Sequence, residues 1–465
     1  MQTQVLVVGG GPVGLSLALG LLQKGFAVTV LEKDRTPSDD WSTTYTYRVD
    51  SRGIACLRSL GLLRKLEAIG VESRGFSRVV WKADGSRAAR SSSAALGLGY
   101  WIQRPALLGI LEAALPKGTI VHGELEDLNF GDTAAARVRV QGSSMTIYSR
   151  LVFGCDGSRS AVRKSLQAAE GGELASAFEQ RAIRTPSTGL IFRAVLYEPP
   201  EDLEPGKLCS PEGKSGRLLS LLPFAGRPGQ LRPLSFAQAA DHPFHNLRTP
   251  EDVYAMLRED FPQLDADRRL PPASAAAWCS SPGSTFPHAR WCGRAAYSAG
   301  SDRACAALLG DALHCFPPDL GQGVNAGLED VRTLLSLMPS SFFDGAAVWR
   351  SLERYEALRV PEAEAICRLL PVGMPYQYKL PHSLGKFAFF GSLLVRLAAS
   401  RACPSLFPAP VVFLVTSDPP LLYTEILRRH REATRRLLLL AGGLGALVAA
   451  LGTLRVRRAP LASAR

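Results

Sequence analysis

The sequence lacks the residue patterns that mark metal sites and nucleophilic hydrolases. Its nine cysteines form no C-x-x-C pair and its seven histidines are scattered, so no metal site is predicted. No paired carboxylates, no Ser-His-Asp or Cys-His arrangement and no internal repeat are recognisable. Many of the cysteines stand in apolar runs, which is typical of small buried side chains in a reducing compartment. These absences leave catalysis to a bound cofactor.

A secretory signal is also missing from the first residues. The apolar run 5–8 is preceded by no lysine or arginine, which a signal peptide needs. We therefore expect no cleavable targeting segment before the fold. With 465 residues the chain can bury a large core and should form two or three lobes.

Glycines at G-x-G-x-x-G spacing follow this first apolar run. Residues 5–8 predict a buried strand and residues 12–23 a helix. Gly9 permits the tight turn, Gly11 lets a pyrophosphate approach the backbone, and Gly14 lets the helix pack against the sheet. The helix N-terminus offers free N–H groups and a partial positive charge. The spacing predicts a dinucleotide site, with a structural glycine-rich turn as the alternative.

An acidic residue stands where a dinucleotide site needs one. A second predicted strand, 26–31, ends at Glu32, 18 residues after Gly14. A carboxylate there can accept hydrogen bonds from the adenosine ribose, and its charge disfavours a 2′-phosphate. NADP is therefore an improbable occupant of this unit, while NAD and FAD stay open on this motif alone.

Two motifs far downstream decide between NAD and FAD. An apolar strand at 151–154 runs into a tight turn and a basic helix start, and a second strand at 306–309 is followed by a Gly-Asp pair and a glycine-rich segment. The residues of these motifs that we single out are Asp156, Gly157, Arg163, Gly310, Asp311, Gly321, Gly323 and Asn325.

These motifs resemble those of the single-Rossmann flavoprotein monooxygenases, the family that includes 4-hydroxybenzoate hydroxylase. The resemblance implies that the first fingerprint holds the ADP half of FAD and that Asp311 binds the ribityl chain. It implies that FAD and the reduced nicotinamide both approach Asp156-Gly157. It also places Arg104 against the FAD phosphate or ribose, with a solvated arginine at a helix start as the alternative.

Residues 310–330 and 359–366 resemble the kynurenine 3-monooxygenase branch of this family. The branch implies that NADPH and O2 are used to hydroxylate a small aromatic substrate, with kynurenine, converted to 3-hydroxykynurenine, as the leading candidate. Since only one fingerprint is present, NADPH would dock transiently. Tyr100 and Tyr423 match the substrate tyrosines of the branch, and Arg74 or Arg78 its substrate arginine.

Two alternative functions stay open, and so does the role of one histidine. A membrane-associated flavoprotein epoxidase or reductase acting on an isoprenoid or other lipid would carry the same FAD motifs, and so would a tail-anchored FAD-binding adaptor without activity. His314 is the candidate catalytic base, with packing near the flavin as its other interpretation.

The predicted fold is α/β. A Rossmann-type FAD-binding domain covers 1–170 and 291–335, with a β-sheet substrate lobe inserted at 171–290. A helical C-terminal cap follows at 336–427 and a basic-flanked tail at 428–465. The apolar runs 387–397 and 410–415 lie in the cap, as ordinary core helices or as a face resting on a membrane.

Positive charge is concentrated in the tail. Residues 428–465 carry nine arginines and one acid, and so hold eight of the twelve net positive charges, which argues against nucleic acid as a partner. The uncharged run 437–454 would span roughly 27 Å as a helix, close to the thickness of a bilayer core. We expect a C-terminal transmembrane anchor with the catalytic part in the cytosol, in the mitochondrial outer membrane by resemblance. A buried core helix or a dimer-contact helix is the alternative.

Overall fold

The structure is a computed structural model that describes residues 1–34, 45–92, 97–169, 173–300, 302–340, 344–378 and 384–457. Within these ranges, side chains are described except at 76, 77, 90–92, 173, 174 and 443–457.

Strands dominate the first two thirds of the chain. They are β1 (Val5–Val8), β2 (Val28–Glu32), β3 (Thr46–Val49), β4 (Val71–Ser73), β5 (Phe76–Trp81), β6 (Arg87–Ser92), β7 (Gly99–Gln103), β8 (Ile120–His122), β9 (Glu124–Phe130), β10 (Ala134–Val140), β11 (Ser143–Ser149), β12 (Leu151–Gly154), β13 (Gln180–Ile183), β14 (Ile191–Tyr197), β15 (Leu208–Pro211), β16 (Ser220–Leu221), β17 (Arg232–Gln238), β18 (Ser284–Thr285), β19 (Ala289–Cys292), β20 (Ala296–Ser298), β21 (Cys305–Leu308) and β22 (His314–Cys315).

Helices separate the strands and take over after residue 323. They are α1 (Pro12–Gln23), α2 (Ser51–Ser59), α3 (Leu63–Ile69), α4 (Arg104–Glu112), α5 (Ala161–Ala169), α6 (Glu173–Ala177), α7 (Pro250–Asp260), α8 (Ala266–Arg269), α9 (Pro272–Ser280), α10 (Gly323–Leu337), α11 (Gly345–Leu369), α12 (Leu384–Ala402), α13 (Val411–Leu414) and α14 (Tyr423–Arg457).

A six-stranded sheet forms the centre of the first lobe. Its order is β20-β21-β12-β1-β2-β8, with every neighbour parallel except the antiparallel edge strand β20. All four residues of β1 are buried, as expected for a central parallel strand covered on both faces. Helix α1 packs against α10 so closely that a Cβ on Gly20 would lie 2.2 Å from Leu335. The predicted Rossmann-type unit is confirmed.

A seven-stranded sheet builds the second lobe, in the order β18-β14-β17-β16-β15-β5-β6. Helices α7 and α9 contribute to the core on one of its faces, where Tyr197, Phe261 and Trp278 are fully buried. Strands β5 and β6 join this sheet through the parallel pair β15–β5, although the sequence prediction places 76–92 with the N-terminal domain. Such pairing between distant segments leaves no local signal in the chain.

The C-terminal helices lie against the first lobe. Helix α14 begins at Tyr423 and contacts α11, whose Glu362 carboxylate accepts hydrogen bonds from the backbone N–H groups of Tyr423 and Thr424. The α14 helix therefore starts inside the core and continues without a break past residue 428.

No helix in the described part of the chain is both long enough and apolar enough to cross a lipid bilayer. The predicted transmembrane helix at 437–454 is therefore not supported, and neither is the tail-anchored localisation inferred from it. From residue 443 onward the side chains of that segment lie outside the described part.

Candidate functional site

A cavity of about 1450 Å³ lies between the central sheet and the seven-stranded sheet. Nine of the residues singled out in the sequence line it, although they come from positions up to 314 apart: Gly9, Gly11, Glu32, Arg104, Asp156, Gly157, Asp311, Gly321 and Gly323. Three distant motifs thus converge on one space.

The N-terminal glycines shape one end of this cavity. Gly9 has a φ of +105°, and a Cβ there would lie 2.4 Å from the carbonyl oxygen of Cys155. A Cβ on Gly14 would lie 1.9 Å from the Gly9 oxygen, so the turn and the helix can approach only without side chains. Gly11 is the N-cap of α1, no side chain caps this helix, and a Cβ there would meet no atom within 4 Å. The free N–H groups of α1 therefore stand beside open space, as an anion site requires.

Glu32 closes the same end from β2. Its Oε2 accepts a hydrogen bond from the Gly10 N–H, and its Oε1 accepts one from the Asp34 N–H at 2.9 Å. The carboxylate is thus fixed at the edge of the cavity by two backbone groups. A carboxylate in this position can still accept from ribose hydroxyls through its remaining lone pairs.

Arg104 supplies a positive charge beside the cavity. It is the first residue of α4, and its backbone N–H donates to the carbonyl of Tyr45 at 3.1 Å. Its guanidinium also interacts with the Tyr47 hydroxyl, yet burial outweighs this charge and raises the pKa of Tyr47 to about 12. Arg104 and the N-terminus of α1 thus bring positive charge to the same cavity that Glu32, Asp156 and Asp311 line.

In the Asp-Gly motif, Asp156 and Gly157 line the cavity, whereas Arg163 stabilises the fold. Asp156 Oδ2 accepts hydrogen bonds from the N–H groups of Ala161 (2.6 Å) and Val162 (3.2 Å) at the start of α5. Its Oδ1 is buried and has no hydrogen-bond partner among the described residues, and burial raises the pKa of this carboxyl. Arg163 does not line the cavity; it donates to the carbonyls of Ser158 and Ala312, each at 2.9 Å. It thereby ties this turn to the Gly-Asp turn.

The Gly-Asp turn presents one carboxylate to the cavity. Gly310 has a φ of +57° and donates its N–H to Asp330 at 2.9 Å, which holds the turn in place. Asp311 is reachable from the cavity although protein surrounds it, and this burial raises its pKa. Such a carboxyl gains from hydroxyl partners, and its contact with the ribityl chain stays a prediction.

Behind this turn lies a buried network of charges. Asp330 bonds His314 Nε2 at 2.8 Å and Arg359 Nε at 2.7 Å, and Arg359 also pairs with Glu329 at 3.1 Å. Burial alone would raise the pKa of Asp330, but His314 and Arg359 outweigh it and hold the pKa below its ordinary value. His314 is fully buried and is not among the described residues that line the cavity. Its position is that of a structural partner of Asp330.

The glycine-rich segment is held by Asn325. Its Oδ1 accepts from the Asp50 N–H at 2.9 Å, and its Nδ2 donates to the carbonyls of Arg48 (2.8 Å) and Gly321 (3.1 Å). Gly321 and Gly323 face the cavity while Asn325 stands behind them. The backbone at the start of α10 is therefore the part of this motif that a flavin edge can reach.

Tyr423 reaches this segment from the C-terminal helix. Its hydroxyl donates to Gln322 Oε1 at 2.7 Å, and Gln322 Nε2 donates to Asp50 at 2.8 Å. The Arg52 guanidinium lies 4.2 Å from the centre of the Tyr423 ring. Neither Tyr423 nor Tyr100, both buried, is among the described residues that line the cavity. Both tyrosines lie behind the residues that line the cavity, so they can act on a substrate only through those residues.

An aromatic wall lines another part of the same cavity. Tyr45 stacks on Phe192 with ring centres 4.9 Å apart, Phe192 stacks on Phe286 at 6.4 Å, and Phe286 contacts Tyr378 at 5.3 Å. Sequence reasoning missed this wall because its four rings come from four separate segments.

Asp319 stands at this wall. Its Oδ2 accepts from the buried Ser187 hydroxyl, which also bonds Thr185 at 2.9 Å, and its Oδ1 has no hydrogen-bond partner in the part of the chain that the structure describes. Burial raises the pKa of this carboxyl to about 7. The cavity thus contains an acid that changes charge near neutral pH.

This pKa gives an expected dependence of stability on pH. Because the folded state raises the pKa of Asp319, the ionised carboxylate lowers stability, and this cost grows as pH rises from about 4 to about 7. Asp319→Asn should therefore stabilise the protein more at pH 8 than at pH 5.5, by about 2 kcal/mol in the free energy of unfolding. Urea titrations at both pH values measure it. Asp202→Asn, at an exposed carboxylate paired with Arg87, is the control, and its effect on the free energy of unfolding should not grow between pH 5.5 and pH 8. If Asp319→Asn changes the free energy of unfolding equally at the two pH values, the raised pKa of Asp319 is wrong.

The residues present fit FAD. The open cradle at Gly11, the Oδ1 of Asp156, which has no hydrogen-bond partner in the described part of the chain, and the cavity-facing Asp311 are groups that gain from phosphate, amide and hydroxyl partners. The aromatic wall offers a flat apolar surface in the same cavity. FAD would be held by the start of α1, Glu32 and Asp311.

The FAD binding domain family matches residues 2–369 of the chain. The chain therefore belongs to this family, among its FAD-dependent aromatic monooxygenases. A kynurenine 3-monooxygenase from Salinispora arenicola (strain CNS-205) is 27% identical over 486 residues, covering 98% of both chains. The ubiquinone hydroxylase UbiL of Rhodospirillum rubrum is 30% identical over 377 residues, covering 77% of this chain and 78% of the relative.

Solved structures share the fold. Klebsiella pneumoniae HpxO complexed with FAD and uric acid superposes with a TM-score of 0.55 at 21% identity, covering 79% of this chain and 87% of that one. The p-nitrophenol 4-monooxygenase PnpA from Pseudomonas putida DLL-E4 gives 0.57 at 16% identity, covering 93% and 98%. The predicted cofactor, FAD, is confirmed by the family.

Proposed function

We propose that the protein uses NADPH and O2 to hydroxylate a small aromatic substrate, with kynurenine, converted to 3-hydroxykynurenine, as the leading candidate. The observation that carries this proposal is the aromatic wall of Tyr45, Phe192, Phe286 and Tyr378 in the same cavity as the flavin motifs. A flat ring can lie against such a wall and leave its edge open to the cofactor. Similarity to kynurenine 3-monooxygenases supports the choice of substrate.

FAD, when bound, supplies the redox chemistry that takes electrons from NADPH and delivers an oxygen atom from O2 to the substrate. The protein itself binds the cofactor and the substrate and orients them toward each other. Asp311 and the backbone of 321–323 face the cofactor side of the cavity, and the aromatic wall covers the substrate side. The second sheet covers one side of the cavity, and keeping water away from the reacting atoms limits wasteful breakdown of activated oxygen.

A cationic side chain lies on the sheet that closes the cavity. Arg78 on β5 lines the cavity and is half-buried, and the hydroxyl-bearing residues Ser210, Ser220 and Ser235 of the neighbouring strands line it too. Arg74 also lines the cavity, but its side chain is largely exposed and pairs with Glu72 at 2.7 Å. Of the two arginines considered for the substrate, Arg78 is therefore the better placed to bind the carboxylate of an amino-acid substrate.

Replacing Arg78 by methionine should raise KM for kynurenine by roughly 10-fold to 100-fold, the loss of one charge-assisted hydrogen-bond pair. Arg74→Met is the matched control and should leave KM nearly unchanged because its guanidinium is exposed and paired with Glu72. Steady-state NADPH oxidation at varied kynurenine measures both. An unchanged KM in Arg78→Met would remove Arg78 from the substrate site.

The proposal as a whole is tested by an NADPH-consumption screen on purified, FAD-loaded protein, with kynurenine first. Kynurenine should stimulate NADPH oxidation and yield 3-hydroxykynurenine, identified by mass. If it gives neither stimulation nor hydroxylated product, kynurenine is rejected as substrate. Stimulation by another soluble aromatic would then keep the reaction class.

A second candidate is hydroxylation or epoxidation of an isoprenoid lipid. The similarity to the ubiquinone hydroxylase of Rhodospirillum rubrum favours it. The same screen separates the two candidates. A short-chain ubiquinone precursor dispersed in detergent would stimulate NADPH oxidation if the substrate is a lipid, whereas a soluble aromatic amino acid would not.

A further inference from the structure

Asp319 carries a hydrogen-bond acceptor for which the described part of the chain supplies no donor. Its Oδ1 is buried and unpaired among those residues, while its Oδ2 accepts from the Ser187 hydroxyl. The residue is only 4% exposed, yet it lines the cavity. A buried acceptor without a partner lowers stability, and folded proteins keep few of them. A ligand bound in the cavity is therefore the natural source of the missing donor.

The polar groups around Asp319 are engaged with one another. The Ser187 hydroxyl bonds both Asp319 and the Thr185 hydroxyl, the latter at 2.9 Å. Gln377 Nε2 donates to the backbone carbonyl of Asp319 at 3.1 Å, and the Tyr378 hydroxyl interacts with the side chain of Gln377. These contacts fix the carboxyl group from two sides and leave its Oδ1 to another molecule.

Asp319 lies where the cofactor side of the cavity meets the aromatic wall. It belongs to the one-turn helix Pro318–Leu320, directly before Gly321, which faces the cavity. On the other side it is close to Tyr378, whose pKa is raised by burial and further by the charge of Asp319. Tyr378 contacts Phe286 of the wall at 5.3 Å. A flat ring that lies against this wall therefore has Asp319 at its edge.

The chemistry of this position selects the group that it can bind. A carboxylate oxygen accepts an N–H or O–H donor and repels a second anion. Arg78, the candidate for binding the substrate carboxylate, lies on β5, toward the opposite edge of the second sheet from β14, which carries Phe192 of the wall. The amino-acid end of such a substrate would then point away from Asp319. The donor that fits Asp319 is an amino or hydroxyl group on the ring.

We propose that Asp319 accepts a hydrogen bond from an amino or hydroxyl group on the aromatic ring of the substrate and thereby selects rings that bear such a donor. This inference rests on the proposed function, because it names the class of aromatic substrate that the same cavity binds. A ring without the donor leaves the buried Oδ1 unpaired, so the site discriminates against it. Amino and hydroxyl groups also donate electrons to the ring, which favours its hydroxylation.

Binding without turnover tests the proposal on the full-length, FAD-loaded protein at pH 8 in the absence of NADPH. The probes form two pairs, 2-aminobenzoate with benzoate, and kynurenine with its analogue that lacks the ring amino group. Dissociation constants come from the change in flavin absorbance and from titration calorimetry. Within each pair the donor-bearing probe should bind roughly 10-fold to 100-fold more tightly, as one hydrogen bond to a charged group allows. Both members of the kynurenine pair keep the aliphatic amine, so their difference reports the ring amine alone.

Asp319→Leu should reduce the ratio of dissociation constants within each pair to nearly one. A merely structural role would weaken both members of a pair alike and leave the ratio unchanged. Glu124→Leu, at an exposed carboxylate on β9 that also lines the cavity, is the matched control and should keep the wild-type ratio. Should Asp319→Leu fail to retain its flavin, Asp319→Asn, which keeps the size and removes the charge, should still lower the ratio several-fold.

Equal binding within both pairs by the wild type, or a wild-type ratio in the Asp319 variants, would overturn the proposal. If such a protein still converts kynurenine to 3-hydroxykynurenine, the proposed function stands and Asp319 alone is rejected. If kynurenine fails as a substrate while 2-aminobenzoate keeps its preference over benzoate, Asp319 stands and kynurenine alone is rejected. A wild type that binds none of the four probes would reject the small aromatic substrate and this inference together.

Discussion

Gly11→Val should weaken FAD binding by roughly 100-fold or more and yield a folded, colourless protein. Gly11 has a φ of −74° and a ψ of 178°, which valine adopts without strain, and its Cβ would meet no protein atom within 4 Å. The branched side chain would instead occupy the space through which a pyrophosphate reaches the N–H groups of α1. Losing two or more charge-assisted hydrogen bonds accounts for the expected loss. Flavin absorbance after gel filtration, with circular dichroism for folding, measures it.

Gly109→Val is the matched control for this experiment. Gly109 lies on α4, is exposed, and also has no atom within 4 Å of its ideal Cβ. The same substitution there changes helix propensity by well below about 1 kcal/mol, in the favourable direction, and should leave flavin binding intact. Equal FAD affinity in the two variants would show that phosphate does not approach at Gly11.

Arg359→Ala should destabilise the protein by about 3–5 kcal/mol and loosen the flavin. Arg359 is buried and neutralises Glu329 and Asp330, so its removal leaves buried carboxylates short of counter-charge. Asp330 in turn holds the N–H of Gly310, and a shift there would move Asp311. Urea unfolding followed by circular dichroism and by flavin release measures both effects.

Arg368→Ala provides the comparison on the same helix. Arg368 pairs with Glu364 at 2.6 Å on the exposed side of α11, where an ion pair contributes about 0.5 kcal/mol. It should leave flavin release at the wild-type urea concentration. If Arg359→Ala unfolds as Arg368→Ala does, the buried network is not what supports the Gly-Asp turn.

Much of the cofactor site could be predicted because it depends on local geometry. The turn at Gly9 and the close contact at Gly14 follow from short-range spacing between strand and helix. The Gly-Asp pair at 310–311 likewise ends a strand and turns into the cavity. Such features need only neighbouring residues and the directions of adjacent elements.

For other motif residues, the sequence predicted their importance but not whether they contact the ligand or support the fold. Arg163, Asn325 and His314 belong to the motifs, yet the structure places each behind the wall as a brace of the backbone or of a buried charge. A sequence motif marks positions that a fold requires, and it does not separate side chains that touch a ligand from those that support them. The same holds for Tyr423, whose supporting role depends on a hydrogen bond to Gln322, a residue 101 positions away in the sequence.

The substrate side could not be predicted, because it is assembled from distant segments. The aromatic wall joins Tyr45, Phe192, Phe286 and Tyr378, and β5 enters the second sheet by pairing with β15, 130 residues along the chain. The transmembrane prediction rested on an uncharged run flanked by arginines and on the resemblance, and the helix found there is not apolar enough in its described part.

The central claim is that one FAD molecule occupies the cavity between the two sheets, with its phosphates at the start of α1. The most direct measurement is the visible absorbance spectrum of the purified full-length protein after reconstitution with FAD and gel filtration. The account expects flavin bands near equimolar with protein, and their loss in Gly11→Val but not in Gly109→Val. A wild-type protein that stays colourless after reconstitution would contradict it.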